Sequence, residues 1–306
     1  MCLFALVGQA VADSQADGNR AYLAGDYKKA EKSYRLAAEK GDAMAQFLIG
    51  WMYFNGQGVP LDYKEAVKWY RLAAEQGNAF AQNDLGRMYF LGHGVTTDNK
   101  EAAKWLRMAA EKGVASAQDG FILGQLYFSG QGGSQDYVES AKWFRLAAEK
   151  GDASAQYILG RMYYLGKGVA QDYKESVKWY RLAAEQGNAS AQDGLGTMYY
   201  DGLGVSKDYI EGIKWYRLAA EQGLSDAQNG LALAYMDGKG VPKDDVLAHM
   251  WISVAIATDN SNSEIHEQRI HLCDLMEKFM TDQRITEAQD LARRCIANKF
   301  NGCGKG

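Results

Sequence analysis

Apolar and polar residues recur along most of this chain in two helical patterns punctuated by glycine. In residues 63–75, Ala66, Trp69, Tyr70, Ala73 and Ala74 occupy positions i, i+3, i+4, i+7 and i+8, one apolar stripe on a helix. The preceding stretch, Asp42 to Phe54, also reads as a helix, with Asp42 placed to cap it just after Gly41. Between the two, Gly56-Gln57-Gly58-Val59 breaks the periodicity and supplies two residues free to take positive φ. Asp62 begins the second helix, and Glu65 three residues on predicts a capping box. Asp-x-x-Glu recurs at Asp98/Glu101, Asp136/Glu139, Asp172/Glu175 and Asp208/Glu211. Gly77 ends the second helix, where a left-handed residue closes the last turn. The predicted unit is an antiparallel αα-hairpin.

The unit repeats. Its closing glycines, Gly41, Gly77, Gly113, Gly151, Gly187 and Gly223, are spaced 36, 36, 38, 36 and 36 residues apart. Such a period predicts an all-α solenoid, each unit burying its apolar face against its neighbours. The first stripe position of each second helix is small (Ala66, Ala102, Ser140, Ser176, Gly212, Ala248), so two helices can approach closely. Three units depart from the rule. Unit 113–151 has two extra residues before Gly124, and Gly133 replaces the usual valine, which predicts a bulge or a lengthened first helix. Segment 18–41 has a shorter turn at Gly25-Asp26-Tyr27, and the last unit loses its final glycine. Two further helices are expected at about 264–280 and 282–297.

The pattern A-x-A-Q-x-x-L-G-x-x-Y-x-x-G-x-G-V-x-x-D-x-x-x-A-x-x-W-Y-x-x-A-A-x-x-G is met almost residue for residue at 43–77, 79–113, 153–187 and 189–223. It resembles the Sel1-like repeat family, relatives of the tetratricopeptide repeat, over roughly residues 41 to 258. The resemblance implies a right-handed αα-hairpin superhelix with a C-terminal helical cap, and first helices lining its concave wall. The expected organisation is a signal-peptide remnant at 1–12, a tetratricopeptide-like capping hairpin at 13–41, six repeats at 42–258, capping helices at 259–298 and a flexible tail at 299–306. It further implies a non-catalytic scaffold or adaptor for a protein or peptide partner.

Comparison of the units with one another separates two faces of the first helix. Counted from the preceding glycine, positions 2, 4, 5, 8, 9 and 12 are near-constant, while 3, 6, 7, 10 and 14 vary. At about 100° per residue the variable positions share an arc of roughly 100°. Position 10 gives Trp51, Arg87, Gln125, Arg161, Thr197 and Leu233; position 6 gives Phe47, Asn83, Tyr157, Asp193 and Asn229, with Phe121 or Asp119 standing there in the irregular unit. Phe47, Trp51, Asn83, Arg87, Gln125, Tyr157, Arg161, Asp193 and Thr197 are therefore the candidate partner-binding residues, aromatics beside arginines being suited to a peptide segment.

Composition narrows the function classes. A net charge of −4 and a pI near 5.7 argue against a nucleic-acid surface. No stretch reaches the roughly 20 apolar residues needed to span a bilayer. The apolar run 2–12 ending in Ala10-Val11-Ala12 has the form of a signal-peptide core, though without a basic start. It predicts a periplasmic or secreted protein, a cytoplasmic one being the alternative. An exported chain would permit a Cys273–Cys295 or a Cys295–Cys303 disulfide. No cofactor motif or metal site is expected. His266 and His271 are five residues apart, so their rings diverge on a helix, against the i, i+4 spacing of a zinc protease. His93 fills a variable loop position, and His249 reads as packing. The alternative class is a β-lactamase-like or cell-wall hydrolase of the cysteine-rich Sel1-like type. That type carries a cysteine pair in every repeat, whereas this chain has no cysteine between Cys2 and Cys273.

Overall fold

A computed structural model describes residues 2–259, 261 and 263–304, with the side chains from residue 13 onward. The side chains of 1–12, where the signal-peptide reading falls, lie outside the described residues. Among the described residues the fold is all-helical, with sixteen helices and no strand. They form two compact units, 1–150 and 151–306. The first contains α1 (Cys2–Leu23), α2 (Tyr27–Glu39), α3 (Ala43–Asn55), α4 (Tyr63–Glu75), α5 (Ala79–Leu91), α6 (Asn99–Glu111), α7 (Ala117–Ser129) and α8 (Tyr137–Glu149). The second contains α9 (Ala153–Leu165), α10 (Tyr173–Glu185), α11 (Ala189–Asp201), α12 (Tyr209–Glu221), α13 (Ser225–Asp237), α14 (Asp245–Thr258), α15 (Glu264–Glu277) and α16 (Asp282–Ala297). No described helix is long and apolar enough to cross a membrane.

In five of the seven hairpins the glycine of the first helix admits an aromatic ring of the second; Gly86 meets Leu106 instead, and the last hairpin has Ala232 at that place. A Cβ on Gly50 would stand 2.6 Å from the Tyr70 ring, and Gly160 and Gly196 meet Tyr180 and Tyr216 in the same way at 2.7 and 2.8 Å. The small stripe position faces that glycine from the other side: the Ser140 hydroxyl donates to the Gly124 carbonyl at 2.8 Å. Each Asp before a second helix caps it, Asp62 accepting from the N–H groups of Lys64 and Glu65. The reciprocal half of the expected capping box is absent. Glu65, Glu101, Glu139, Glu175 and Glu211 turn to the lysine three residues on. A complete capping box forms instead at Ser116/Asp119.

Three devices join one hairpin to the next. The second glycine of the loop docks on the preceding unit: a Cβ on Gly94 would lie 2.3 Å from the Tyr63 carbonyl oxygen, and one on Gly204 2.3 Å from that of Tyr173. The constant glutamine of the first helix is buried and donates back to the preceding helix, Gln46 to Ala38 O at 3.1 Å, Gln192 to Ala184 O at 3.1 Å and Gln228 to Ala220 O at 3.2 Å. Its own oxygen accepts from the closing residue of its own hairpin, as Gln76 to Gln46 and Gln222 to Gln192, so the tie runs through both helices. The constant tyrosine accepts from an arginine of the preceding hairpin, Arg35 to Tyr53 at 2.8 Å and Arg217 to Tyr235 at 3.0 Å. This explains why the tyrosine stripe recurs although Tyr53, Tyr89 and Tyr199 are only half-buried.

The irregular unit resolves differently from the expectation of a bulge or longer helix. α7 keeps the common 13 residues, and the extra pair lengthens the joint before it, at Val114 and Ala115. Phe121 then takes the place of Phe47, Asp119 that of Ala45 and Gly120 that of Gln46. The glutamine tie is lost there.

The C-terminal residues also differ from a free tail. Residues 299–304 fold back, with Phe300 against Gly223 and Gly304 near Trp251. Cys295 is disulfide-bonded to buried Cys303. This corrects the Cys273–Cys295 alternative: the Cys273 thiol is free and points toward Ser253 and His249 on α14. Arg269 of α15, 3% exposed, ties the cap to α13 through Asp226 and to Asp259 at 2.5 Å.

Gly94 and Gly113 are both left-handed (φ +71° and +81°), but only Gly94 meets atoms of a neighbouring unit. Gly113→Ala should cost only the conformational part, about 1–2 kcal/mol. Gly94→Ala should cost clearly more, because backbone must move as well. Urea unfolding midpoints compare the two, and equal losses would contradict the docking role.

Candidate interaction surface

The variable face of the first helices is uneven, and its character differs between the units. In residues 1–150 its start is aromatic. Phe47 stacks on Tyr70 at 5.7 Å between ring centres and lies 5.8 Å from Phe80. Trp51 meets Tyr22 edge-on at 5.7 Å. Tyr22, Tyr34, Phe47, Leu48, Trp51 and Met52 line a cavity of about 210 Å³. Phe80 remains 51% exposed. An aromatic surface of this kind is expensive in water. Phe47 and Trp51 are half-buried, so the fold holds their rings while leaving one side accessible.

Arg87 plays a structural part that the sequence did not reveal. Its Nε donates to Asp119 at 2.6 Å, and a terminal nitrogen donates to the Ser116 hydroxyl at 2.9 Å. Asp119 is 1% exposed and Arg87 34%. Burial alone would raise the Asp119 pKa, but the Arg87 guanidinium and the Ser116 N–H and hydroxyl outweigh it and hold the carboxyl below its usual value. The ion pair links α5 to α7 where Gly120 has removed the glutamine tie. Asn83 is buried beside it rather than exposed. Asn83 is thereby corrected from a contact residue to an interior one, and Arg87 is already committed to a partner within the chain. Burial also pushes nearby Asp84 up to about 6, against the pull of Arg87. Gln125 is exposed.

In residues 151–306 the same face is polar. Tyr157 stacks on Tyr180 at 5.9 Å, and Arg161 is exposed. The Thr197 hydroxyl lies 3.1 Å from the Tyr216 hydroxyl and donates to the Asp193 carbonyl at 3.1 Å. Burial, aided by Asp226 and opposed by Arg269, pushes the Asp193 carboxyl up to about 7. Gly194 and Gly230 make room here for the rings of Tyr180 and Tyr216, which a Cβ would meet at 2.9 and 3.2 Å.

The structure thus assembles Phe47 and Trp51 with Tyr22, Leu48, Met52 and Phe80, of which the last four were not singled out in the sequence. Phe80 sits at position 3 of the variable set, outside the ladders of positions 6 and 10. Tyr22 belongs to the first hairpin, outside the regular alignment.

Two consequences are measurable. Arg87→Ala leaves Asp119 buried without its counter-charge, and should cost about 2–4 kcal/mol, whereas Arg161→Ala should stay within about 0.5 kcal/mol. Comparable stabilities of the two variants would sink the assignment. For Asp193 the folded pKa lies above the unfolded one, so ionisation opposes folding and its stabilising effect is lost as pH rises from about 4 to about 7. Asp193→Asn should therefore raise the thermal midpoint at pH 8 and leave it nearly unchanged at pH 4.

Comparison with known proteins places these hairpins in a family. Seven segments, 15–42, 43–78, 79–114, 121–152, 153–188, 189–224 and 225–257, match the Sel1 repeat. The first takes in the short-turned hairpin, and the fourth begins inside α7, beyond the lengthened joint. A Sel1 repeat protein from Oxalobacter formigenes is 33% identical, with 82% of this chain and 99% of that one covered and a TM-score of 0.54. The c5321 protein, a protective antigen of uropathogenic Escherichia coli strains with an SLR fold, is 28% identical over 95% of this chain and 85% of that one, with a TM-score of 0.49. No curated protein matches the chain. With matched repeats running from residue 15 to 257, the chain belongs to the Sel1 repeat family.

Proposed function

We propose that the protein is a non-catalytic scaffold that binds a protein or peptide partner on the variable face of its first helices. The repeat fold is of a kind typically used for protein–protein interaction. The observation that carries the reading is the aromatic surface of Phe47, Trp51 and Phe80 with its adjoining cavity, since the recurring glutamine and tyrosine ties use the opposite face. A cavity of about 210 Å³ suits one large apolar side chain of a peptide. Gln125, also within residues 1–150, is exposed on the same variable face.

We also propose that the protein works in the periplasm or outside the cell. The apolar run 2–12 and the Cys295–Cys303 disulfide both suit an exported chain.

Photo-crosslinking in the native cell tests the surface. A photoreactive residue at position 51 or 80 should capture a common partner, one at exposed position 68 should not, and Trp51→Ala should reduce the yield from position 80. Equal capture from position 68, or an unchanged yield in Trp51→Ala, would contradict the reading.

A further inference from the structure

We propose that the C-terminal cap holds a zinc ion between α14 and α15, bound by His249, Cys273 and Glu277. The three side chains come together because Cys273 and Glu277, four residues apart, share one face of α15, and that face meets His249 on α14. His249 is 1% exposed, and Glu277 opens to solvent at its outer side. Glu277 Oε1 lies 2.9 Å from His249 Nε2, and Cys273 Sγ lies 3.5 Å from the same nitrogen. All three ligand atoms fall within 4.8 Å of one another.

The contacts are incomplete as hydrogen bonds. One ring nitrogen carries either a proton or a lone pair, so Nε2 cannot serve both the carboxylate and the thiol well. A cation bound at Nε2 satisfies all three. The far nitrogen, Nδ1, lies 3.3 Å from the Ser253 hydroxyl. That hydroxyl can accept the Nδ1 proton once Nε2 is a ligand, the outer contact that orients metal-binding histidines.

The donor set selects the ion. One nitrogen, one sulfur and one carboxylate oxygen suit zinc, whereas calcium and magnesium require shells of oxygen. Tetrahedral zinc separates nitrogen from oxygen by about 3.4 Å and nitrogen from sulfur by about 3.6 Å. The His249–Cys273 distance of 3.5 Å already fits. The carboxylate would withdraw from the ring by about 0.5 Å and settle about 3.6 Å from Cys273 Sγ, against a present separation of up to 4.8 Å. Three protein ligands leave the fourth position for water.

A cysteine nucleophile is a poorer account of the same cluster. A catalytic triad places its carboxylate on the nitrogen opposite the nucleophile, yet Cys273 and Glu277 share Nε2.

Cobalt(II) and zinc titrations of the full chain, kept non-reducing so that Cys295–Cys303 stays closed, test the site. A Cys2→Ser background leaves Cys273 as the one free thiol. One cobalt per chain should bind with a thiolate-to-cobalt charge-transfer band, and one equivalent of zinc should abolish it. Cys273→Ser should remove the band with helicity unchanged, and Ser253→Ala should weaken zinc about 10- to 100-fold. No thiolate band in the Cys2→Ser protein, or the same band after Cys273→Ser, would overturn the proposal.

Discussion

The close approach of backbone to neighbouring groups at a few glycines governs the rest of this structure. Gly50 and its equivalents let a large side chain of the second helix, in most hairpins an aromatic ring, lie against the first, and Gly94 and its equivalents let a loop rest on the preceding hairpin. A side chain at either place would occupy space already filled. Once both approaches are made, the glutamine and tyrosine of the same first helix fall within reach of the preceding hairpin and tie to it. Each such hydrogen bond contributes only about 1 kcal/mol, so repetition rather than any single tie stabilises the stack.

These ties all draw on one side of the first helix, and that is why the other side is free to vary. The irregular unit shows the economy of the arrangement. When Gly120 stands where other units have glutamine, the lost bond is replaced by Arg87 and Asp119, which come from the variable face and from a position that is alanine elsewhere. One residue of the free face is thereby recruited into the framework, and Asn83 is covered with it.

Much of this was legible in the sequence. Helix positions, aspartate caps, closing glycines and the two-faced first helix follow from spacing, because each depends on residues near in sequence. What escaped notice depends on pairs far apart. Arg87 and Asp119 are 32 residues apart and His249 and Cys273 24, and neither spacing corresponds to a motif. The two extra residues of unit 113–151 read as a bulge or a longer helix because a periodicity cannot say whether an insertion enters the helix or its joint. The glutamates after each capping aspartate were read as box partners, but the lysine one turn on competes for them.

The most direct test of a divided first helix is a serine scan of α5, followed by urea unfolding. Serine at Ala81, Gln82, Leu85 or Met88, all buried, should lower the midpoint markedly, while serine at Phe80 or Leu91 should have a much smaller effect. Losses at Phe80 and Leu91 as large as at Leu85 would show that the whole circumference of the helix serves the fold, and would contradict a face reserved for a partner.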